Sequence, residues 1–507
     1  MSEFKGKCVL IMQQRSWGVG IGHEVAKRLS GEGAKLAALT LKRSTNAFTR
    51  EQKDVVYELI LSNDEIMADP AKYLAGERYE LAKICKELGV DSVWPLVITL
   101  RNHVRTYGEK YFYSYRQNIS DEDILLYVQA FYKCIRRFFE EFKPDIIVAL
   151  NYVALPHIML NLYGKEHGVP MIAFTDCKLK GYYIFTNGYR DDEGAFYDRV
   201  KELNDKKAVS EHQSDAKKYI KEFRHEFKQP DYVNSGKKKK TAWQHVKYHL
   251  GPYVNSVRFM IQPQPNHLLN FGPTIDYRPP HILLRDHYAH VRQTRFAEQF
   301  AYYPFDKVKK FAYFPLQFQP EANIDVASPF YNNQLDLARQ LALALPDDYT
   351  LVVREHPGMV GLRSQNFYRK MDRTPNVKLI DYRIPNEQVL KRADIILSIN
   401  GTSMAEAAFL RKPAIQVGDL GTTQLLPNVV RHTDMTTLGG KVREMLRTPL
   451  EGEEYERRLE NFLAAGYDTG FPYAYIADWD TPKEDKEAVW NEYRKEFIRL
   501  FSKKNAA

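Results

Sequence analysis

Phe311-Ala-Tyr-Phe-Pro-Leu-Gln-Phe-Gln-Pro-Glu321, Leu351-Val-Val-Arg-Glu-His-Pro-Gly358 and Ile395-Ile-Leu-Ser-Ile-Asn-Gly-Thr-Ser403 decide the fold of this chain. Each is an apolar run that ends in polar or glycine residues, and helical patterns follow the first and third. Strands buried on both faces read as continuous apolar runs, and the loops at their C-terminal ends carry the working groups of a parallel sheet. Around these pieces the pattern predicts strands at Phe311–Phe314, Thr350–Arg354, Val377–Ile380, Asp394–Ser398 and Pro413–Val417. Helices are predicted at Gln334–Leu345, Asn386–Lys391 and Ser403–Leu410. This alternation is a Rossmann-like α/β domain.

The N-terminal part starts the same way. Lys7–Met12 reads as a buried strand and Gln13–Glu24 as a glycine-rich turn. A helix carrying Val25, Ala26 and Leu29 follows, then a strand over Lys35–Leu41. Gly18-Val-Gly-Ile-Gly-His lacks the full dinucleotide spacing, because its third glycine comes one residue early. It is either a ligand loop, with Arg15, Gly20, Gly22 and His23 at a cleft, or a tight turn before a helix. Glu51–Leu61 and Ala71–Leu88 look helical. Ser120 with Asp123 three residues on is a capping-box variant. Beyond it Ile124, Val128, Phe131, Ile135, Phe138 and Phe142 form a buried helical stripe. Asp145–Asn151 and Pro170–Phe174 read as strands flanking a helix over Ile158–His167. Their loops, at Asn151 and Asp176, fall on the same edge as the Gly18 turn.

From about residue 178 to 280 the strand-helix rhythm fades. Lys201–Phe227 is charged and helical, Lys237–Lys240 is a basic run, and Trp243–Met260 mixes aromatics with Lys247 and Arg258. Two readings compete: a basic amphipathic surface resting on anionic lipid, or a solvated helix pair with a lysine-rich loop. Gln262-Pro-Gln-Pro and Arg278-Pro-Pro280 read as linkers. The division is then 1–280, 281–447 and 448–507, the last holding helices over Tyr455–Ala464 and Lys483–Phe501 that pack back towards the first domain. Arg101-Asn-His-Val-Arg105 and Tyr111–Tyr115 line an acceptor cleft or cover the core.

Composition narrows the function. A chain of 507 residues exceeds one ordinary core, and 27% charged residues suit a globular protein. A formal charge of +9 is mild at this length. It fits an anionic ligand or an inner-membrane surface, and no nucleic-acid partner is expected. Four scattered cysteines exclude a disulfide framework and a CxxC metal site. With neither a signal-peptide pattern nor an apolar stretch of transmembrane length, the expected location is the cytoplasm.

Three loops carry chemistry. Asn400-Gly-Thr-Ser403 joins a strand to a helix start, where small residues and N–H groups favour an anion; a plain N-cap is the alternative. Arg354-Glu-His-Pro-Gly358 ends a strand of the same sheet, and Pro357 holds His356 at its edge. Gln317-Phe-Gln-Pro-Glu321 offers amides for a base or sugar, and Glu321 for a ribose hydroxyl or developing positive charge.

Phe314–Ala322, Arg354-Glu-His-Pro357, Asn376–Ile380, Ser398–Ala407 and Lys412-Pro413 resemble the bacterial capsule polysaccharide biosynthesis proteins. That group is similar to the Kdo transferases of capsule and lipopolysaccharide assembly. The resemblance covers about Phe311 to Asp419. It implies a GT-B glycosyltransferase with two Rossmann-like domains and the nucleotide-sugar donor, a co-substrate, in the second. His356-Pro357 and Thr402-Ser403 would hold the nucleotide phosphate. The expected donor site adds Gln317, Gln319, Glu321, Arg354, Asn400, Gly401 and Glu406. A glycan or glycolipid acceptor would face Arg15, Gly20, Gly22, His23, Asn151 and Asp176. Glu321, His356 and His23 are the candidate catalytic groups. Neither metal nor cofactor is expected; Asp478-Trp-Asp480 lies in the tail and reads as structural. Alternatives are a polyol-phosphate transferase, a nucleotide-sugar epimerase, or a non-catalytic glycan or nucleotide-sugar binding protein.

Overall fold

The computed structural model of the protein describes residues 3–100, 120–227, 241–261, 280–473 and 486–506. The first sheet contains β1 (Cys8–Gln13), β2 (Lys35–Thr40), β3 (Leu59–Ser62), β4 (Ile146–Val148), β5 (Met171–Asp176), β6 (Tyr182–Thr186) and β13 (Phe471–Pro472). Their order is β13-β6-β5-β4-β1-β2-β3. Strands β1 to β5 are parallel, and β6 and β13 extend the sheet antiparallel to their inner neighbours. The second sheet is parallel throughout. It comprises β7 (Phe311–Pro315), β8 (Thr350–Arg354), β9 (Val377–Ile380), β10 (Ile395–Ser398), β11 (Ala414–Gln416) and β12 (Val429–Arg431), ordered β12-β11-β10-β7-β8-β9. In each sheet the chain builds one side from its first strand and then returns to build the other. The strand order therefore reverses between β1 and β4 and between β7 and β10, where doubly wound folds open a crevice.

Side-chain alternation explains why these strands look uniformly apolar in sequence. Val9 and Ile11 point to one face of the first sheet, while Leu10 and Met12 point to the other. Phe311 and Tyr313 are buried on one side of the second sheet, and Ala312 and Phe314 on the other. With helices on both faces the central strands β1, β4, β7 and β10 are buried almost throughout, and exposed positions such as Lys35 and Arg431 fall at strand ends. Each fully buried Phe contributes on the order of 1.5–3 kcal/mol.

The helices that matter below are α1 (Arg15–Val19), α2 (Ile21–Gly31), α3 (Asp121–Arg137), α4 (Leu155–Glu166), α5 (Ala195–Asn204), α6 (Gln213–His225), α7 (Ala242–Ile261), α8 (Pro280–Gln299), α9 (Gln334–Ala344), α10 (Thr402–Phe409), α11 (Gly421–Gln424), α12 (Glu453–Thr469) and α13 (Lys486–Ala506). Ser120 caps α3 by accepting the Asp123 N–H at 3.1 Å, and the predicted stripe from Ile124 to Phe142 is buried.

Four sequence expectations are corrected. Ala71–Leu88 is two helices, Pro70–Leu74 and Leu81–Glu87, and Lys201–Phe227 is divided between the end of α5 and α6. Residues 51–61 do not form a helix: their apolar end enters β3, where Ala37–Thr40 of β2 pair with Leu59–Ser62. Sheet pairing of an apolar run outweighs the weak helical preference of the charged residues before it. The Gln13–Glu24 turn does open a helix, α2 from Ile21, but a further short helix, α1, occupies Arg15–Val19 within it. Strands β6, β12 and β13 carried no sequence prediction. Arg101–Arg105, Tyr111–Tyr115, Lys237–Lys240, Gln262–Pro265, Arg278-Pro279 and Asp478–Asp480 lie outside the described residues.

The chain exchanges elements between its halves. Phe196 of α5 and Ile220 and Phe223 of α6 share a core with Phe311, Phe409 of α10 and Phe462 of α12. Arg224 of α6 donates to the Phe409 carbonyl at 2.8 Å. Helices α5 and α6 thus pack with the second sheet although they precede its strands. The C-terminal segment returns. β13 joins β6, and Trp490, Tyr493 and Phe497 of α13 pack with Phe4, Val9, Val25 and Leu29. Two contacts hold the C-terminal edge of the second sheet against the first domain. Val326, beyond β7, lies in the first domain's core, and Gly421 of α11 donates to the Arg190 carbonyl at 2.8 Å.

Candidate functional site

Three loops meet at the C-terminal edge of the second sheet because β7 lies between β8 and β10, about 5 Å from each. The loop after β7 ties the other two together. Gln317 Nε2 donates to Ser398 Oγ at 2.9 Å and to the Asn400 carbonyl at 2.6 Å. On its other side the Phe318 ring meets the His356 ring edge to face, 5.8 Å between centroids. Gly401 sits so near Gln317 that a Cβ would lie 3.0 Å from Oε1, and its φ of +108° is one that glycine alone adopts without strain.

The amides of this loop are taken up by the protein. Gln319 is buried, donates to the Asn332 carbonyl at 2.8 Å and accepts from Gln334 of α9 at 3.0 Å. Fully buried Asn400 uses its whole amide. It donates to the Asn323 carbonyl at 2.5 Å and Ser328 Oγ at 2.7 Å, and accepts from Gln416 at 3.0 Å and the Leu420 N–H at 3.2 Å. Gln317, Gln319 and Asn400 are the scaffold that sets the loops. The first turn of α10 is more open: Thr402 and Ser403 are half-buried there.

His356 has a fixed chemical state. Its Nδ1 accepts the Gly358 N–H at 3.1 Å, capping the short helical turn Pro357–Met359. Burial, then the charges of Arg354 and Arg363, push its pKa down to about 4. A neutral imidazole whose Nδ1 accepts must carry its proton on Nε2, so His356 offers a donor. Beneath it, fully buried Glu355 accepts the His356 N–H at 2.8 Å and lies 2.8 Å from Arg363 Nε. Arg363 also donates to the Gln317 carbonyl at 3.0 Å, which couples the two loops. Burial pushes the Glu355 carboxyl above its ordinary pKa, with Arg363 opposing.

The remaining donor-side candidates surround these groups. Arg354 ends β8 and donates to the Ile384 carbonyl at 2.8 Å. Pro357 is exposed. Glu321, half-buried, precedes the short helix Ala322–Asp325. Glu406 is buried in α10, its carboxyl 2.7 Å from Asn386 Nδ2, while Asn386 Oδ1 accepts the Tyr313 hydroxyl at 2.8 Å. Burial raises Glu406 to about 7, against the Asn386 hydrogen bond and the Arg354 charge.

The first-domain candidates are spread more widely. Arg15 opens α1, and its side chain lies outside the described set. His23 of α2 pairs with Asp54 at 3.2 Å and holds that carboxyl below its ordinary pKa. Gly20 joins α1 to α2. At Gly22 a Cβ would stand 2.6 Å from the Trp17 ring and 2.7 Å from Gln13 Oε1, so close packing alone demands this glycine. Asn151 accepts from Gln14 at 3.2 Å across the β1–β4 switch point, and Gln14 also meets His157 Nε2 at 2.6 Å. Asp176 ends β5 and holds Lys178 Nζ at 3.0 Å.

The second sheet, its switch point and these loops coincide with a sequence match. Residues 266–420 match the family described as capsule polysaccharide biosynthesis proteins. The match spans less than a third of the chain but contains His356, Gln317 and the start of α10. Among curated proteins none matches. Solved structures that match the chain include the beta Kdo 2,7 transferase KpsC of Thermosulfurimonas dismutans. It is 11% identical, covering 71% of this chain and 88% of that one, with a TM-score of 0.36. UDP-GlcNAc 2-epimerase of Neisseria meningitidis is 11% identical over 91% of this chain and 98% of its own, with a TM-score of 0.26. The calicheamicin glycosyltransferase CalG4 is 13% identical over 98% and 99%, with a TM-score of 0.25. Likeness at this level carries no argument about chemistry. The two-domain Rossmann-like architecture rests on the topology above.

Sequence reading missed the groups that fix this edge. Glu355 stood inside a quoted motif, and its place between two charged neighbours at a strand end was a usable signal. Arg363, Gln334, Ser328 and Gln416 carried none, since only the folded chain brings them to the loops. Among the described residues no helix is long and apolar enough to cross a membrane.

Proposed function

We propose that the protein is a glycosyltransferase that moves a sugar from a nucleotide-activated donor to a surface polysaccharide or glycolipid acceptor. The donor nucleotide lies at the C-terminal edge of the second sheet. The observation that carries this reading is His356, held neutral with its proton on Nε2, on the same sheet edge as the start of α10. Transfer breaks the bond between the anomeric carbon and the donor phosphate, and forms one to an acceptor hydroxyl oxygen, whose proton is released to solvent. Negative charge grows on the departing phosphate oxygen. A fixed N–H donor, a helix start and the Arg354 guanidinium are suited to receive that charge without reorganising.

In this reading Thr402 and Ser403 share the phosphate with His356, while Gln317, Gln319 and Asn400 hold the loops in register. Glu321 stands on the sugar side. The acceptor enters from the first domain, past the edge that carries Asn151 and Asp176. The reaction needs no metal, so activity should survive chelation by EDTA. The deciding experiment is thermal unfolding with CMP, UDP, GDP, CDP and TDP in turn. A nucleotide at about 100 times its Kd adds roughly 2.7 kcal/mol to stability. A flat response to all five overturns the proposal.

A further inference from the structure

Helix α7 turns a ridge of apolar side chains outward. Trp243, Val246, Leu250, Val254, Val257 and Ile261 are between 44% and 73% exposed. At 3.6 residues per turn these six positions fall within an arc of about 80°. Exposed Lys247 and Arg258 border the arc on one side. The opposite side of α7 is already occupied: Tyr248 meets His290 Nδ1 of α8 at 2.7 Å, and Ser256 is buried. The ridge is therefore not a core face left loose. It is a continuous apolar surface bordered on one side by cations, a combination that marks an interaction site.

Charge identifies the partner. Residues 241–261 contain no aspartate or glutamate, yet carry Lys247 and Arg258. On α8 a groove of about 640 Å³ is lined by Arg285, Tyr288, Arg292, Arg295, Phe296 and Gln299. Arg285 is paired with Asp286. Tyr288 of that groove touches Tyr253 of α7, so the guanidinium groups and the ridge adjoin. A second copy of the chain, docked about a two-fold axis, would bring Lys247 and Arg258 against like charges. A nucleic acid would leave the ridge uncovered. An anionic bilayer satisfies both features, with acyl chains against the ridge and headgroup phosphates against the cations.

We propose that the α7–α8 hairpin docks the protein on an anionic lipid bilayer, with the α7 ridge in the interface and Arg292 and Arg295 on headgroup phosphates. The test is vesicle flotation of the full chain. Vesicles of phosphatidylcholine with about one third phosphatidylglycerol should carry the protein up, and pure phosphatidylcholine should not. K247Q/R258Q should weaken binding roughly 30-fold, about fivefold for each cation near the surface. W243S/V254S/V257S should abolish flotation, while unfolding temperature stays that of the parent because these side chains are exposed. Failure to float with either vesicle overturns the proposal, as does equal flotation of parent and both variants. So does a dimer in light scattering that W243S/V254S/V257S dissolves while flotation persists. Nucleotide binding does not enter the readout, so this proposal and the glycosyltransferase reading fail separately.

Discussion

Replacing His356 separates its two jobs. Its Nδ1 caps the Pro357 turn, and its Nε2–H is proposed to donate to the donor phosphate. In His356→Asn the amide oxygen can take over the Gly358 N–H now received at 3.1 Å, but nothing replaces Nε2–H. His356→Ala loses both. Loss of the cap costs about 1 kcal/mol, which His356→Ala should show in urea unfolding and His356→Asn should not. Loss of a hydrogen bond to a charged group costs about 1.5–3 kcal/mol, or roughly 10–150-fold in Kd, and both variants should show it in nucleotide titrations. The pH dependence gives an independent check. The folded pKa of about 4 lies below the unfolded value of 6.5, so the neutral ring contributes stability that is present above pH 6.5. That contribution is lost as pH falls towards 4, on the order of 3 kcal/mol in all. Relative to His356→Asn, the parent should therefore weaken across this window. A His356→Asn protein that binds nucleotide with the parent's Kd would falsify the donor role of Nε2.

Other substitutions test the scaffold. Glu406→Gln should remove a pH dependence of opposite sign. A carboxyl raised to about 7 gives stability that is present below its unfolded pKa of 4.5 and lost as pH rises through 7. The variant should thus gain on the order of 2–3 kcal/mol over the parent at pH 8, and equal melting temperatures there would refute the burial argument. Glu355→Gln leaves Arg363 buried without its counter-charge. It should cost about 3–5 kcal/mol in chemical denaturation, and a loss under 1 kcal/mol would show that the pair is not buried as described. Gly401→Ala sets a Cβ against the Gln317 amide at a positive φ, so about 1–3 kcal/mol of stability should disappear together with nucleotide affinity. Gly22→Ala should cost a similar amount by crowding Trp17 while leaving nucleotide Kd untouched; a changed Kd would return that glycine to the site.

What the sequence determined is local and periodic. The strands of the second sheet, at Thr350–Arg354 and Val377–Ile380, match the observed bounds, because apolar runs between turn residues have few other ways to bury themselves. The Ser120 cap was legible for the same reason: donor and acceptor lie three residues apart. The match of residues 266–420 follows the stretch where the motifs are densest. Tertiary structure decided everything that depends on distant partners. It turned residues 51–61 from a helix into the approach to β3, because β2 offered an edge to pair with. It made Gly22 a packing position, since Trp17 folds back on it. Above all it set the state of His356. The motif supplied a histidine at a strand end, but its burial and the charges of Arg354 and Arg363 come from the folded edge. A proton's position depends on every charge within a few ångströms, and a linear sequence does not contain those distances.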